Sequence, residues 1–439
     1  MTVEAHIALN RFGLGARPSE AGEIADARSW LLHQVQDAEP LPPALYAAAE
    51  LDDLFQGGQD AIRDPLTFAQ RSRAAYRRQA AAQLEWWADA DQGFRERLVS
   101  FWSNHFAIST DKPQAAAWGL PQSLYGIRPH VTGDFEDLLI AAVQHPSMLL
   151  YLDNARSIGP QSMVGERRDR GLNENLAREV LELHTLGVDG GYDQADVEGL
   201  ARALTGWTTG SVRYRPDAIG DFLFVPAAHQ PGSVSVLGKR YGQAGVQQGL
   251  AILRDLARHP ATATHLATKL ARHFTADDPN DALVAALTEA YRGSGGNLMA
   301  MYRTLINHPA SWAQGLAKYR SPQDYLVAAT RAVGIGSRLN GERITRSLYA
   351  LGQPLWQPGS PAGWPEDSEQ WLSPAALMAR IEWTQLLVQR QPRRGDIETL
   401  AQQLLGDNLS EHTQNFLRRA PDARAALTLL LLSPEFQQR

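Results

Sequence analysis

The sequence predicts a mainly α protein, a large multi-helix globular domain with one small β-hairpin. Apolar residues recur at helical spacing along most of the 439 residues, several segments begin with helix-start signals, and strand-type alternation is confined to one place. No linker is long or polar enough to require a division. We therefore expect residues 1–439 to form a single mostly helical unit, with two packed lobes, about 1–155 and 156–439, as the alternative.

Helix-start signals support several of the predicted helices. Ser373 precedes Pro374, which is typical of an N-cap followed by proline at the first helical position. Asp193 stands three residues before Asp196, and Asn173 is placed to cap the helix that follows it. The predicted helices cover residues 20–35, 43–55, 66–89, 92–106, 134–144, 173–186, 193–206, 243–258, 260–274, 280–292, 297–307, 321–335, 341–351, 373–390, 396–406, 410–419 and 421–432.

Several helices are predicted to end where an apolar stretch meets His-Pro or Ser-Pro. Proline stops a helix and disfavours helical geometry in the residue before it. A histidine at that point can bond to the last carbonyls of the helix and complement its dipole. We therefore interpret His145, His259 and His308 as structural residues that cap the preceding helix.

The strand signal lies in two short segments, 221–226 and 234–242, which flank the sequence AAHQPGS. This arrangement predicts one hairpin between them. Loops rich in glycine and proline are expected over 155–172 and 352–372.

Composition and charge exclude several classes of function. The 42 basic and 48 acidic residues give a net charge of −6 without a concentrated basic face, so no nucleic-acid partner is expected. The chain has no cysteine, which excludes disulfides, thiolate nucleophiles and Cys-ligated metal centres. The longest aliphatic run, Leu429 to Leu432, is too short for a transmembrane segment, and the N-terminal residues show no export signal.

The segment NENLAREVLELHT concentrates ionisable and amide side chains in one helix. At 100° per residue, Asn175, Arg178, Glu179 and Glu182 lie on one side, whereas His184 lies on the opposite, apolar side. The carboxylates of Glu179 and Glu182 are neighbours and repel, which raises one pKa, while Arg178, one turn before Glu182, lowers that of its partner. Such a pair can divide general-acid and general-base roles. An exposed Arg178–Glu182 ion pair without a catalytic role is the alternative.

A second candidate residue is His105, in the segment FWSNHF. It lies in the middle of an apolar helix face that includes Phe101 and Trp102. The simplest interpretation is therefore that His105 is a buried histidine of the core. If His105 and His184 converged, they could hold a metal, flank a haem or form an acid–base relay.

Four further residues are weaker candidates. Asp153 follows the apolar run MLLYL and is placed either in a cleft or in a turn. His229 lies in the predicted hairpin loop and is expected to contact solvent. Trp207 and Trp364, in or beside Gly/Pro loops, are placed either to stack on sugar rings or to pack the loops onto the core.

Several segments together resemble one bacterial family, the domain-of-unknown-function eighteen-hundred family. They are FWSNHF, HPSMLLYLDN, NENLAREVLELHTLGVDGGYDQADVEGLARALTGWT, LGQPLWQPGSPAGWP and LLLLSPEFQ, so that the resemblance covers nearly the whole chain. It implies a mostly helical fold, a periplasmic or secreted location and a sulfatase-like protein partner, but no settled activity. The residues that fall inside the family's motifs are Asn104, His105, Asn173, Asn175, Arg178, Glu179, Glu182 and His184. Where the family commonly shows His-Asp, this chain has His229-Gln230.

These observations lead to one main hypothesis. The protein is expected to be a hydrolase or lyase that acts on an envelope or extracellular polymer, carbohydrate rather than peptide, by carboxylate acid/base chemistry. The predicted catalytic residues are Glu179, Glu182, His184, His105 and Asp153. The predicted substrate-binding residues are Asn104, Asn175, Arg178, His229, Trp207 and Trp364.

Two alternatives belong to other classes. The first is a histidine-liganded metal or haem redox protein that uses His105 and His184. The second is a non-enzymatic binding or scaffold protein, in which the polar helix face is a buried network that fixes core packing.

Overall fold

The computed structural model describes residues 2–55, 64–113, 115–168, 171–211, 215–313, 318–335, 340–391 and 396–439. The fold is mainly helical with two small two-stranded antiparallel sheets, which confirms the predicted fold class. The α-helices are Val3–Ile7, Ala27–Gln36, Pro43–Ala49, Asp52–Phe55, Pro65–Asp89, Gly93–His105, Gly119–Pro121, Phe135–Gln144, Pro146–Tyr151, Gly165–Arg168, Asn175–Glu179, Gln194–Ala203, Val246–Ala257, Pro260–Phe274, Asp281–Gly293, Leu298–Asn307, Pro322–Ala332, Gly341–Ala350, Pro374–Gln389, Ile397–Leu405, Glu411–Arg418, Ala423–Leu432 and Pro434–Gln437.

Shorter helical segments connect these elements. The 3-10 helices are Glu20–Glu23, Arg128–His130, Asn154–Arg156, Pro216–Ala218, Pro226–Ala228, Pro309–Trp312, Ser368–Trp371 and Gly406–Asn408. The π-helices are Ala8–Phe12, Gln122–Ile127 and Val180–Thr185. In the part of the chain that the structure describes, no helix is both long and apolar enough to span a lipid bilayer.

The helix-start signals act as predicted. Ser373 accepts a hydrogen bond from the backbone N–H of Ala376, and Asp193 forms a reciprocal capping box with Asp196. Asn173 accepts from the backbone N–H of Asn175 at 2.9 Å. Each bond satisfies a backbone donor that a helix leaves open at its start.

The His-Pro histidines are structural, but they cap the following helix rather than the preceding one. The Nδ1 atoms of His145, His259 and His308 each accept a hydrogen bond from the backbone N–H two residues later, at 3.2–3.3 Å. The extended backbone of each histidine places its ring over the first turn of the next helix, where N–H groups lack partners. The prediction that they bond to the preceding carbonyls was therefore wrong.

The strands pair differently from the predicted hairpin. Strand β1 (Trp207–Thr209) pairs with β2 (Phe222–Phe224), and β3 (Val234–Val236) pairs with β4 (Lys239–Tyr241). The segment 234–242 thus forms its own tight hairpin, whose turn contains Leu237 and Gly238, both with positive φ. The sequence between β2 and β3 forms the 3-10 helix Pro226–Ala228 instead of a hairpin loop.

The helix Gly93–His105 lies at the centre of the core. Its residues Phe94, Leu98, Phe101 and Trp102 are all buried, as the apolar face predicts. The π-helices Ala8–Phe12 and Gln122–Ile127 both pack against this helix. One continuous cluster of buried apolar side chains contains residues from both halves of the chain.

Candidate functional site

A pocket opens between the helices Pro65–Asp89, Gly93–His105 and Pro260–Phe274 and the loop that precedes Pro374–Gln389. Its water-accessible volume is about 90 Å³. One water occupies roughly 10–15 Å³ by that measure. The pocket therefore has room for a small molecule, or for one unit of a polymer, but not for a longer stretch of a polymer chain.

Tryptophans form much of the pocket wall. Trp87 comes from the helix Pro65–Asp89, and Trp356, Trp364 and Trp371 come from the loop 352–372. The rings of Trp364 and Trp371 lie 6.1 Å apart at 53°. Trp364 is therefore part of a ligand-sized site, where its indole can contact a flat apolar surface.

Asn104 attaches this loop to the core. Its Oδ1 accepts a hydrogen bond from the backbone N–H of Trp364 at 2.7 Å, and its Nδ2 donates to the carbonyl of Trp364 at 2.9 Å. The preceding residue, Gly363, has φ +83°, and a Cβ there would lie 2.4 Å from the Asn104 carbonyl oxygen. Asn104 thus lines the pocket, but its amide is occupied in positioning the tryptophan loop.

His273 and Glu366 form an oriented pair in the pocket wall. The Nδ1 of His273 lies 2.7 Å from the Glu366 carboxylate, and its Nε2 is buried without a hydrogen-bond partner. Burial lowers the pKa of His273, and Glu366 offsets this only in part. Burial acts to raise the pKa of Glu366, but His273, Lys318 and Arg439 lower it to about 2. At neutral pH the carboxylate is therefore ionised, and the neutral imidazole carries its proton on Nδ1.

A buried ionic network supports this pair. Arg97 lies 3.0 Å from Asp324, and Lys318 lies 2.8 Å from Asp277. The Nε of Arg439 is also 3.0 Å from Asp324, in a geometry that does not form a hydrogen bond. Burial acts to raise the pKa of Asp324, but Arg97 and Arg439 hold it well below its usual range.

The pocket wall also contains other unsatisfied polar atoms. Gln83 Nε2, Trp87 Nε1 and Trp364 Nε1 are buried and have no hydrogen-bond partner. Buried polar groups are normally hydrogen-bonded, and an unsatisfied one costs about 1–3 kcal/mol. These three donors and the Nε2 of His273 all belong to residues that line the pocket.

Sequence reasoning missed His273, although a signal was present. His265, Lys269 and His273 follow one another at intervals of four in the helix Pro260–Phe274, so that they share one face. Burial lowers the pKa of all three side chains. This stripe of basic groups on an amphipathic helix runs from the pocket to the histidines described next.

His105 and His184 do converge, with ring centroids 5.9 Å apart. His105 donates from Nε2 to the carbonyl of His184 at 3.1 Å, and His265 donates to the carbonyl of Leu183 at 3.1 Å. Both carbonyls belong to the π-helix Val180–Thr185, a segment type that recurs at functional sites. These bonds leave the Nδ1 of His105 and both ring nitrogens of His184 buried without partners.

The electrostatic setting of these histidines disfavours their charged forms. Burial lowers the pKa of His105 well below its usual value and lowers that of His184 to about 3, and the charge of Lys269 acts in the same direction. Among the residues that the structure describes, no group of three or more His, Asp or Glu is arranged to hold a metal ion.

Glu179 and Glu182 lie on the other side of this helix, half-buried at its surface. Burial raises the pKa of Glu179, and the charge of Glu182 raises it further. Tyr192 donates to the Glu182 carboxylate at 3.3 Å. Arg178 pairs with Glu174 at 3.2 Å rather than with Glu182, and Gln194, which accepts from Arg178 and donates to Glu174, holds this pair together. The predicted Arg178–Glu182 pair was therefore wrong.

The remaining predicted site residues lie apart from the pocket. Asp153 has φ +59° and pairs with Lys112 at 2.7 Å, which is the turn role that the sequence left open. His229 is half-buried, and its Nδ1 donates to the carbonyl of Thr205 at 3.0 Å. Trp207 is fully buried against Phe222, so its ring has no surface available for stacking on a ligand.

Asn175 is exposed beside Arg178, outside the pocket wall. Of the predicted site residues, the structure thus brings Asn104 and Trp364 together in the pocket and pairs His105 with His184.

The fold and site together define a mainly helical protein with a tryptophan-lined polar pocket beside a stripe of basic side chains, His265, Lys269 and His273. The chain belongs to the family described as a protein of unknown function, DUF1800, whose model matches residues 7–438. Comparison with curated proteins and with solved structures gave no match.

Proposed function

We propose that this protein is a hydrolase or lyase that acts on an envelope or extracellular carbohydrate polymer, and that the tryptophan-lined pocket is its active site. One observation carries the proposal. His273 lines the pocket with its Nδ1 fixed by Glu366 at 2.7 Å, and its Nε2 is buried without a hydrogen-bond partner. A carboxylate-oriented imidazole with a free second nitrogen is a common general base.

The chemistry follows from the fixed tautomer. Because the Glu366 carboxylate can only accept, His273 donates from Nδ1 and keeps a lone pair on Nε2. The lowered pKa keeps that lone pair unprotonated at neutral pH. His273 is therefore ready to remove a proton from a water molecule or from the substrate.

The tryptophans support a carbohydrate substrate. Indole rings stack on the apolar faces of sugar rings, while open N–H groups bond to sugar oxygens. Trp364 offers both features, since its ring lines the pocket and its N–H has no partner. The small pocket volume suits a single sugar unit of a polymer that continues outside it.

The Glu179–Glu182 surface is the alternative active site for the same activity. The observation that supports this site is the raised pKa of Glu179, since a carboxyl group that keeps its proton to a higher pH can act as a general acid. Both carboxyl groups face the same side of one helix, whereas glycosidase carboxyl groups stand about 5–9.5 Å apart across the cleaved bond. The pocket is thus the better-supported site.

The proposal is tested with a panel of neutral and acidic polysaccharides. Cleavage is followed by new reducing ends and by the ultraviolet absorbance of unsaturated products. On any polymer that is cleaved, His273→Gln should lower kcat about 100-fold or more, which is the usual contribution of a general base. The matched control is His33→Gln, because His33 is an exposed histidine that does not line the pocket. A folded His273→Gln protein with full activity would refute the assignment.

A histidine-liganded metal or haem protein remains a second candidate function. The observation in its favour is the 5.9 Å approach of His105 and His184 with three unpartnered ring nitrogens. Elemental analysis and a visible absorption spectrum of freshly purified protein test it. A stoichiometric metal or a haem band that disappears in His184→Leu would support this candidate, and a colourless, metal-free, folded protein would count against it.

A further inference from the structure

We infer that an open groove in the C-terminal half of the chain is a docking site for an acidic amphipathic helix of a partner protein. The groove lies between the helices Gly341–Ala350 and Pro374–Gln389 and is also lined by Val333 and Ile335. Its water-accessible volume is about 750 Å³, and it shares no lining residue with the tryptophan-lined pocket. The inference therefore goes beyond the proposed function and does not depend on it.

Both walls of the groove are helix faces. The lining residues recur at intervals of three and four between Asn340 and Ala350 on one helix, and between Ala379 and Arg390 on the other. At 1.5 Å per residue, each wall runs for about 15 Å. A groove of this kind accepts the face of a third helix of about ten residues, whose side chains at i, i+3, i+4 and i+7 enter it.

The two walls are held in place by the rest of the fold. Asn340 caps the first helix by accepting from the backbone N–H of Arg343 at 3.1 Å. A Cβ on Gly341 would lie 2.2 Å from the Cβ of Ala81, so the start of this helix packs closely on the neighbouring helix. In the second wall, Trp383 packs edge-on against Tyr325, with ring centroids 5.7 Å apart. A groove formed in advance loses little conformational entropy when a ligand binds.

The groove presents a continuous apolar surface to solvent. Trp383 and Leu387 are buried beneath it, and Leu386 is 48% exposed. The apolar lining residues that are exposed or partly exposed are Ile335, Ala350, Ala379 and Leu386. A helix face that meets water normally carries polar residues. An apolar surface of this kind, with polar residues around it, is typical of a site that another protein covers.

Arginines flank this apolar surface on both walls. Arg343 and Arg346 line the groove on one helix and Arg390 on the other, whereas Glu382 is the one carboxylate among its described lining residues. Counting Glu342, which lines a neighbouring cavity, still leaves the arginines in excess. With the residues that the structure describes, none of the three arginine side chains makes an ion pair or a hydrogen bond. Acidic residues on both flanks of an apolar helix stripe would complement these cations.

Shape and charge together select the occupant. Two copies of the chain that met groove to groove about a two-fold axis would bring arginines against arginines, and like charges oppose association. A lipid surface takes up an apolar face that can enter it, whereas this apolar surface is recessed between two helices. An acidic amphipathic helix fits both the recessed apolar surface and the positive charge on either side of it.

Binding is tested by fluorescence anisotropy of the intact protein with three labelled helical peptides of about 14 residues. The peptides share one leucine stripe and differ only in the flanking residues, which are all glutamate, all glutamine or all lysine. The glutamate peptide should bind about 10-fold or more tightly than the glutamine peptide, and the lysine peptide more weakly than both. The preference should decrease as salt is added. Equal binding of the three peptides, or no binding of the glutamate peptide, overturns the inference.

A leucine variant locates the binding surface. Leu386→Gln keeps the size of the side chain and removes its apolar character, so it should weaken the binding of the glutamate peptide several-fold. The matched control is Leu66→Gln, because Leu66 is also exposed but does not line the groove. Thermal melts establish that each variant is folded. A folded Leu386→Gln protein that binds the peptide as tightly as the unmodified protein overturns the assignment.

Arginine variants test the charge. Arg343→Gln combined with Arg346→Gln should reduce the preference for the glutamate peptide over the glutamine peptide several-fold. Arg292→Gln combined with Arg303→Gln is the matched control, because it removes the same net charge from exposed positions outside the groove. An equal reduction in the control overturns the inference, because the preference would then follow from net charge alone.

Two further measurements distinguish the other occupants. Sedimentation shows whether the protein alone forms a dimer, and flotation shows whether it binds vesicles that contain phosphatidylglycerol. A dimer that Leu386→Gln dissociates overturns the inference in favour of a second copy of the chain. Vesicle binding that Leu386→Gln abolishes overturns it in favour of a lipid surface. A monomer that binds no vesicles and prefers the glutamate peptide supports a partner helix.

Discussion

The side-chain amide of Asn104 makes two hydrogen bonds to the backbone of Trp364, 260 residues away in the chain. One amide thus satisfies both the N–H and the carbonyl of a loop residue, as a neighbouring strand would. This contact joins the central helix of the core to the loop that carries most of the pocket's tryptophans. It converts a Gly/Pro-rich loop into a fixed wall of the site.

The Asn104–Trp364 contact should be important for stability. Asn104→Ala leaves a donor and an acceptor of Trp364 without partners, so we expect a loss of about 1–3 kcal/mol in the free energy of unfolding. Urea denaturation measures the loss, and ligand binding to the pocket should weaken in parallel. Asn175→Ala is the matched control, since Asn175 is exposed and its replacement should change stability by less than about 0.5 kcal/mol. An unchanged midpoint for Asn104→Ala would contradict this role.

Glu366 should make stability sensitive to acid. Its pKa is lowered from 4.5 to about 2 in the folded protein, so its contribution is complete above pH 4.5 and is lost as the pH falls towards 2. The shift corresponds to an upper limit on the order of 3 kcal/mol at neutral pH. Glu366→Gln should lower the free energy of unfolding at pH 7 and flatten its pH dependence between 4.5 and 2. Glu369→Gln, at an exposed position nearby, should leave the profile unchanged.

Replacing His184 should raise the free energy of unfolding at acid pH, whereas replacing Glu366 lowers it at pH 7. Its pKa is about 3 in the folded protein against a usual 6.5, so the folded state loses stability as the pH falls from 6.5 towards 3. His184→Leu removes this penalty, worth about 2 kcal/mol at pH 5. Because neither ring nitrogen has a partner, the change should be nearly neutral at pH 7.

Free energies of unfolding at pH 5 and pH 7 test this expectation for His184. The backbone carbonyl that receives the bond from His105 is retained in His184→Leu, so the variant isolates the imidazole itself. A large loss of stability at pH 7 would show that the ring nitrogens do have a partner, such as a bound ion.

Glu179 and Glu182 provide a direct comparison between the two candidate active sites. Burial and mutual repulsion raise the pKa of Glu179, so Glu179→Gln should be neutral or slightly stabilising at pH 7. Glu182→Gln changes only a half-exposed bond to Tyr192 and should be nearly neutral. With the pocket as active site, both variants keep their activity, whereas His273→Gln does not. If the two glutamine variants fold and lose activity, the catalytic centre lies on this helix surface instead.

Local signals predicted the helices well because caps and prolines act within a few residues. The helix predicted over 134–144 is Phe135–Gln144, and Ser373 caps the helix that it was expected to cap. The predicted helix over 20–35 is interrupted, because Asp26 begins a new helix at Ala27. The strand partners were wrong, since pairing of β1 with β2 joins segments that carry no mutual signal in sequence.

The site was less accessible to prediction because it depends on distant pairs. His273 meets Glu366 across 93 residues, and nothing near either residue indicates the other. Trp207 and Trp364 look alike in sequence, yet one fills the core and the other lines the pocket. The face assignment of His184 was correct in placing it on the buried side, although the π-helix that begins at Val180 already changes the spacing before His184.

The pocket wall draws on stretches of chain that are widely separated, from Gln83 and Asn104 to His273, Glu366 and Arg439. A backbone cut near residue 155 would leave nine wall residues, Gln83 and Asn104 among them, on the first fragment and the base with its carboxylate on the second. Neither fragment would contain a complete site. Neither fragment alone should then bind the ligand. Ligand binding should return only when the two fragments are mixed and reassociate.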